Sequence, residues 1–248
     1  MSGHSKWSKV KHQKEATDAV KGKIFTKIAN AIIVAVKEGG GIKDPESNFK
    51  LRLIVEKARS LNMPKENIER AIERAAGGGE GEEINEIVYE AFGPAGVGII
   101  IEAATNNKQR TVSDLKNVLE RGGGVLATTG AVSHLFKYVG LITIPKTGND
   151  NDKVMEQAID AGAIDIDDTG DDIEVYTEPK DVHKIKETLS QAGVPVSSFE
   201  LYYRPVTSIP VNDSQTAQKV LSLLTSLEEL EDVQKVFANF DIPDNLLH

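Results

Sequence analysis

The hydrophobic period of this chain changes at a run of glycine and glutamate between residues 77 and 83, and that change limits the folds open to it. Before the run, apolar residues recur at helical spacing. Ile24, Ile28, Ala31, Ile32, Ala35 and Val36 make one face of a helix that begins near Lys23 and ends at Gly39, Gly40 and Gly41. Asp44 as a cap, with Pro45 at a first helical position where its missing N–H has no partner to lose, predicts a second helix reaching about Leu61. Leu51, Ile54, Ala58 and Leu61 face inward on it. A third helix starts near Pro64, turns Ile68, Ala71, Ile72 and Ala75 inward, sets Glu66 and Arg70 as an i,i+4 pair, and stops at glycines 77–79.

After the run the pattern becomes alternating or continuously apolar over short stretches. IVYEAFGPAGVGIIIEAATN reads as two strands joined at the GPAG turn (93–96). Thr111 and Asp114 suggest a cap for the following helix, which carries Val112, Leu115, Val118 and Leu119 and stops at glycines 122–124. A strand-like stretch follows at 131–136. Next come strand 139–144, helix 151–161, strands 163–167 and 172–177, helix 180–191 and strand 196–204. That β-α-β-β-α-β order is the ferredoxin-like arrangement. The remaining segment 205–211, a helix at 214–227 and a strand at 232–238 complement the elements of 84–136. The chain therefore predicts an α+β protein: a helical domain at 1–76, a discontinuous α/β domain at 84–136 plus 205–248, and a second ferredoxin-like domain, 137–204, inserted into it.

Charge divides along the same line. Residues 1–76 hold 16 Lys and Arg against 9 Asp and Glu, about +7, whereas the whole chain carries −9, leaving about −16 for residues 77–248. One part is suited to a polyanion and the other would be repelled by it. The positive charge is densest at the start, where Lys6, Lys9, Lys11, Lys14, Lys21, Lys23 and Lys27 stand with Trp7 and His12. No apolar stripe anchors residues 1–14, so they read as an arm that orders on a partner, its lysines on phosphates and Trp7 stacked on a base. The alternative is that Trp7 packs back on the helical domain and the lysines are solvated. Duplex DNA and ribosomal RNA, with the ribosome itself, are the candidate partners, and a protein-interaction scaffold is the bland third possibility.

Other function classes receive little support. With 248 residues, 40% hydrophobic and 27% charged, the composition is that of an ordinary soluble protein. There is no cysteine, which removes disulfides, thiolate metal sites and cysteine nucleophiles together. The longest aliphatic run, VGIIIEAA at 97–104, breaks at Glu102, so no membrane span is expected. Neither a phosphate-binding glycine loop, a zinc-protease motif nor a nucleophile elbow occurs, and the five histidines are scattered. No catalytic residue, cofactor or metal is expected.

Several long motifs carry a resemblance. GHSKW (3–7), KH (11–12), GKIFTKI (22–28), NMPKENIERAI (62–72), YEAFGPAGVGIIIEAATNN (89–107) with Arg110 and Thr111, GGVLATTGAV (123–132), EVYTEP (174–179) and FANFDIP (237–243) resemble the YebC/PmpR family over essentially the full chain. The resemblance implies three domains with the third inserted in the second. It also implies a cytoplasmic, non-enzymatic regulator, some members binding promoter DNA and others linked to the ribosome and to translation. SNFKLR (47–52) departs from the usual Asn-Pro-Arg-Leu-Arg, and Lys50 keeps the charge without the planar guanidinium.

Two further segments have site-like chemistry. Asn107, Lys108, Arg110 and Thr111 precede or open a helix, where free N–H groups and the helix dipole favour an anion; the alternative is that the asparagines shape the loop and Thr111 caps the helix. Asp165, Asp167, Thr169 and Gly170 imitate the start of a calcium loop, but Tyr176 stands where the bidentate glutamate belongs, which predicts a hairpin turn instead. Tyr202 and Tyr203 face opposite sides of a strand, one of them core.

Overall fold

A computed structural model describes residues 18–76, 84–146 and 150–243. Helix α1 (Asp18–Glu38), α2 (Phe49–Ser60) and α3 (Lys65–Ala76) form the first part. Their shared core joins Ile28, Ile32, Ala35 and Val36 to Leu51, Val55, Ala58, Met63, Ile68 and Ala71, as the helical periods required. The start of α2 differs from expectation. Asp44 caps only a turn, through Glu46 N–H and the Ser47 hydroxyl, and the helix begins at Asn48, whose Oδ1 accepts from Leu51 N–H at 3.1 Å. The Asn48 amide also donates to the Ala35 carbonyl at 2.8 Å, tying the end of α1 to the start of α2. On α3 the expected Glu66–Arg70 pair is absent among the described residues, and Lys65–Glu69 forms at 3.3 Å instead.

The discontinuous part contains β1 (Asn85–Phe92), β2 (Gly98–Thr105), α4 (Lys108–Arg121), β3 (Val125–Leu126) and, after the insertion, β8 (Ile209–Pro210), α7 (Ser214–Glu229), β9 (Val233–Ala238) and β10 (Phe240–Asp241). The sheet order is β3-β1-β2-β9, with every pairing antiparallel. This is the spatial order of a ferredoxin-like sheet in which the strand that would ordinarily precede the second helix leads the unit instead. The expected strand at 131–136 is replaced by β3. Residues 130–133 instead wrap the buried Glu90, which accepts backbone N–H groups from Gly130 at 2.7 Å, Val132 and Ser133. Strand pairing lost there is recovered as hydrogen bonds to a carboxylate. Burial would raise the pKa of Glu90, but these N–H groups hold it below the usual carboxylate range.

Both faces of this sheet are covered. Ile99 and Ile101 of β2 pack with Leu115 and Leu119 of α4 and with Val220, Leu223, Leu224 and Leu227 of α7. On the other face, Ala104 and Ile84 meet Ile33 and Val34 of α1. A strand buried on both faces is continuously apolar and a helix buried on two sides is apolar most of the way round, which accounts for GIIIEAAT and AIIVAV. Residues 18–76 and the discontinuous sheet thus belong to one compact unit.

Residues Phe136–Val206 form the other compact unit. It runs β4 (Phe136–Pro145), α5 (Asn151–Ala161), β5 (Asp165–Asp168), β6 (Asp172–Thr177), α6 (Val182–Gln191), β7 (Ser198–Pro205), and its sheet order β5-β6-β4-β7 is that of a ferredoxin-like fold. Backbone approaches side chain at Gly140, where an added Cβ would lie 2.3 Å from Thr177 Oγ1 and 2.5 Å from Val182 Cβ. The acidic run forms the β5–β6 hairpin. Arg204 of β7 bridges Asp165 at 2.6 Å and Asp167 at 2.8 Å, and its guanidinium lies 3.8 Å from the centre of the Tyr176 ring. Tyr202 is core, while Tyr203 is half-buried against Tyr138.

Candidate nucleic-acid interface

Of the lysine-rich set, Lys6, Trp7, Lys9, Lys11, His12 and Lys14 lie outside the described residues. Lys21 and Lys23 are exposed in the first turns of α1. Lys27 is half-buried and serves the fold: its Nζ donates to the Glu228 carbonyl at 2.6 Å, at the end of α7. A cation is favourable at that negative helix end, so Lys27 is removed from the set facing a partner.

Lys50 is also spoken for. It reaches Glu38 of α1 at 2.6 Å and Glu86 of β1 at 3.4 Å, and so stitches the helices to the sheet. Here a point charge between two carboxylates suffices, and Lys50 supplies it without a planar guanidinium. Burial and the hydrogen bond to Glu38 push Glu86 up to about 7, with Glu102 adding repulsion. Burial also works against the charge of Glu38, but hydrogen bonds to Glu86 and Lys50 hold its pKa below the ordinary value. Below about pH 7 the pair therefore favours holding one proton, on the Glu86 side.

The segment expected to hold an anion does bring Asn107, Arg110 and Thr111 together, with Lys108 exposed beside them. The anion is the chain's own. Asn107, rather than Thr111, caps α4, accepting from Arg110 N–H at 3.0 Å, so the helix starts four residues earlier than Thr111 and Asp114 suggested. Arg110 Nη2 donates to both carboxylate oxygens of Asp232, at 2.8 and 3.0 Å, and the Thr111 and Thr105 hydroxyls stand 2.7 and 3.1 Å from the same carboxylate. The pairing raises the pKa of Arg110 further. The Asp232 carboxylate thus lies at the positive end of α4, where the sequence pattern pointed to an anion.

Sequence reasoning passed over a groove of about 240 Å³ between α1 and α3. Phe25, Ala29 and Ile33 line one side, Asn67, Arg70, Ala71 and Arg74 the other, with Thr26 and Met63 completing it. Arg70 and Arg74 are exposed and one turn apart. The available signal was the register: residues 25, 29 and 33 on one helix, and 67, 70, 71 and 74 on the other, are spaced as facing stripes. Among the described residues no cluster of three or more His, Asp or Glu is arranged to hold a metal ion, and no helix is long and apolar enough to cross a membrane.

Comparison with known proteins agrees with this architecture. A family model described as the TACO1/YebC protein N-terminal domain matches residues 5–78, and one described as the TACO1/YebC second and third domain matches residues 84–240. The chain belongs to the TACO1/YebC family. A relative from Aquifex aeolicus, named a probable transcriptional regulatory protein, is 43% identical over 100% of this chain and 98% of its own length. One from Thermotoga petrophila with the same name is 47% identical, covering 98% of this chain and 95% of the relative. A crystal structure of a conserved hypothetical protein from Aquifex aeolicus superposes with a TM-score of 0.84 at 42% identity, covering 95% of this chain and 96% of that one. The TACO1/YebC fold, helices first and then strand-bearing units, is therefore the fold of this chain.

Proposed function

We propose that this protein is a cytoplasmic, non-enzymatic regulator of gene expression that holds nucleic acid on its basic helical part. The observation that carries this reading is the segregation of charge, about +7 over residues 1–76 against about −16 over the rest. A polyanion gains by meeting the first surface and loses by meeting the second, so the acidic units stand away from phosphates or meet a basic protein. The names of the relatives support a regulatory output and point to transcription; duplex DNA is the partner this first reading assigns.

A second reading, RNA with translation as the output, is favoured by the outer face of α3. A recognition helix projects polar side chains into a major groove. On α3, Glu69 and Glu73 are instead held by Lys65 at 3.3 Å and Lys43 at 2.9 Å, so its outer face carries carboxylates where a helix inserted between the two phosphate backbones of a duplex groove would be repelled.

Reversal of Lys6, Lys9, Lys11 and Lys14 to glutamate tests the basic-surface reading. Four to six phosphate contacts give a slope of log affinity against log salt of roughly −3 to −5, and the reversal is expected to remove most of it. Affinity and slope that survive the reversal defeat the arm as the site. Sedimentation of a DNase-treated lysate with and without RNase separates the outputs: ribosome co-migration that requires intact RNA selects translation, and its absence together with arm-dependent duplex DNA binding selects transcription.

A further inference from the structure

We propose that the groove between α1 and α3 seats one unpaired nucleotide of RNA, its base against Phe25 and its phosphates on Arg70 and Arg74. This rests on the nucleic-acid reading above and names the part of that surface that grips a base. The first observation is what the two arginines do not do. Two of their acidic neighbours on α3 are engaged elsewhere, Glu69 by Lys65 and Glu73 by Lys43, and the third, Glu66, does not pair with Arg70 among the described residues. Among the described residues Arg70 has only a long contact of 3.5 Å to Asn67 Oδ1, and neither arginine is paired with a carboxylate. Two exposed guanidinium forks on successive turns of one helix match successive phosphates of a strand.

The second observation is the floor. Phe25 and Ala29 are half-buried, Ile33, Met63 and Ala71 are buried, and together they give the groove an apolar base beneath its cationic rim. An aromatic ring beside apolar side chains stacks on any nucleobase, whatever its edge. At about 240 Å³ the groove is smaller than the roughly 300 Å³ at which drug-sized ligand pockets begin, so it suits one flat ring.

The third observation is the concavity. Bases stacked in a duplex offer only their edges to a protein, and reading them takes a convex element that enters a groove of the nucleic acid. A recess between two helices receives a base that has left the stack. RNA supplies such bases in loops and bulges and adds a 2′-hydroxyl, for which Thr26 and Asn67 offer polar atoms on the walls.

The test uses the full chain and an unstructured fluorescent RNA octamer, with the matching DNA octamer and RNA duplex as comparisons. Arg70→Gln with Arg74→Gln changes exposed positions only. It is expected to weaken RNA binding about tenfold and to reduce the salt slope by about 1.4, the value for two single-strand phosphate contacts. Arg70→Lys with Arg74→Lys is expected to restore the slope but only part of the affinity. Phe25→Leu keeps apolar volume, loses the ring, and is expected to weaken binding about tenfold with the slope unchanged. A 4-thiouridine crosslink is expected within the peptides holding Phe25 or residues 63–74.

The proposal is overturned if these variants bind RNA like the parent while reversal of the four arm lysines still abolishes binding; the broader nucleic-acid reading then stands without the groove. Equal affinity for the DNA octamer, or preference for the duplex, overturns the unpaired-RNA assignment. If the parent protein binds no nucleic acid, the groove and the broader reading fall together.

Discussion

The two four-stranded sheets of this chain have the same spatial order of strands and reach it by different routes. The inserted unit takes all four strands from one stretch, Phe136–Val206, with each helix beside the strands it covers in sequence. The discontinuous sheet borrows its edge strand β9 from beyond the insertion and has its second face covered by α1. Strand composition follows that difference. Among inner strands, β2, GIIIEAAT, has every residue buried except the half-buried Glu102, while β4, FKYVGLITIP, has Lys137 exposed and Tyr138, Thr143 and Pro145 half-buried. With the same strand order in both sheets, the cover that α1 gives the second face of the discontinuous sheet lets β2 be apolar along its whole length.

The sharpest way to break the comparison is to remove matched side chains from the two cores. Ile101→Ala in β2 and Ile142→Ala in β4 each truncate a fully buried isoleucine and are expected to cost about 2–5 kcal/mol. Hydrogen exchange should locate the damage. Ile101→Ala is expected to lower protection across β1, β2, β9, α4 and α7 while leaving β4 to β7 protected, and Ile142→Ala to do the reverse. Loss of protection throughout the chain in either variant would show a single cooperative unit instead of two.

A smaller effect sharpens the inserted unit alone. Gly140→Ala places a Cβ against Thr177 and Val182 and is expected to destabilise that unit by about 1–3 kcal/mol through overpacking. Urea unfolding followed with a probe in β4 to β7 measures it, and an unchanged midpoint would mean that α6 yields freely.

The smallest expected effect concerns the face that only the discontinuous sheet covers. Native Glu86 keeps its proton up to about pH 7, against an ordinary value of 4.5, so between those limits the folded chain binds more protons than the unfolded one. Its contribution to stability is fully present below about pH 4.5, falls as pH rises, and is lost above about pH 7. Glu86→Gln is expected to flatten this decline and leave the variant more stable relative to the parent at pH 8 than at pH 5.5, read from urea midpoints. Glu38, Lys50 and Glu102 face the same site, and Glu38, with its lowered pKa, contributes the opposite trend at acid pH. An identical pH profile in the variant would place the proton elsewhere.

Much of the fold was legible because local periods dominate it. The β4–α5–β5–β6–α6–β7 order could be read by eye, since each element is short, bounded by turn residues and stabilised against sequence neighbours. Strand 131–136 was misplaced because its apolar residues answer to Glu90, a carboxylate some forty residues earlier whose need for N–H donors outweighs local strand preference. The α2 and α4 starts were misplaced for a related reason. Asp44 and Thr111 had the right chemistry for caps, but Asn48 and Asn107 had the right geometry, and Thr111 was drawn to Asp232. Of the candidate site, the charge balance was visible in the composition, while the α1–α3 groove was not, since it exists only once two helices choose their facing stripes.

What the sequence determined by itself is the period of each element, the position of the break between helical and strand-bearing parts, and the separation of positive from negative charge. These depend on neighbours a few residues apart. Tertiary structure alone decided which charges remain available to a partner. Lys27 is taken by a carbonyl 201 residues away and Arg110 by a carboxylate 122 residues away, whereas Arg70 and Arg74 meet no carboxylate among the described residues. A charged side chain has no preferred partner until the chain has folded and brought one within hydrogen-bond reach, and only then does Coulomb attraction select among the candidates.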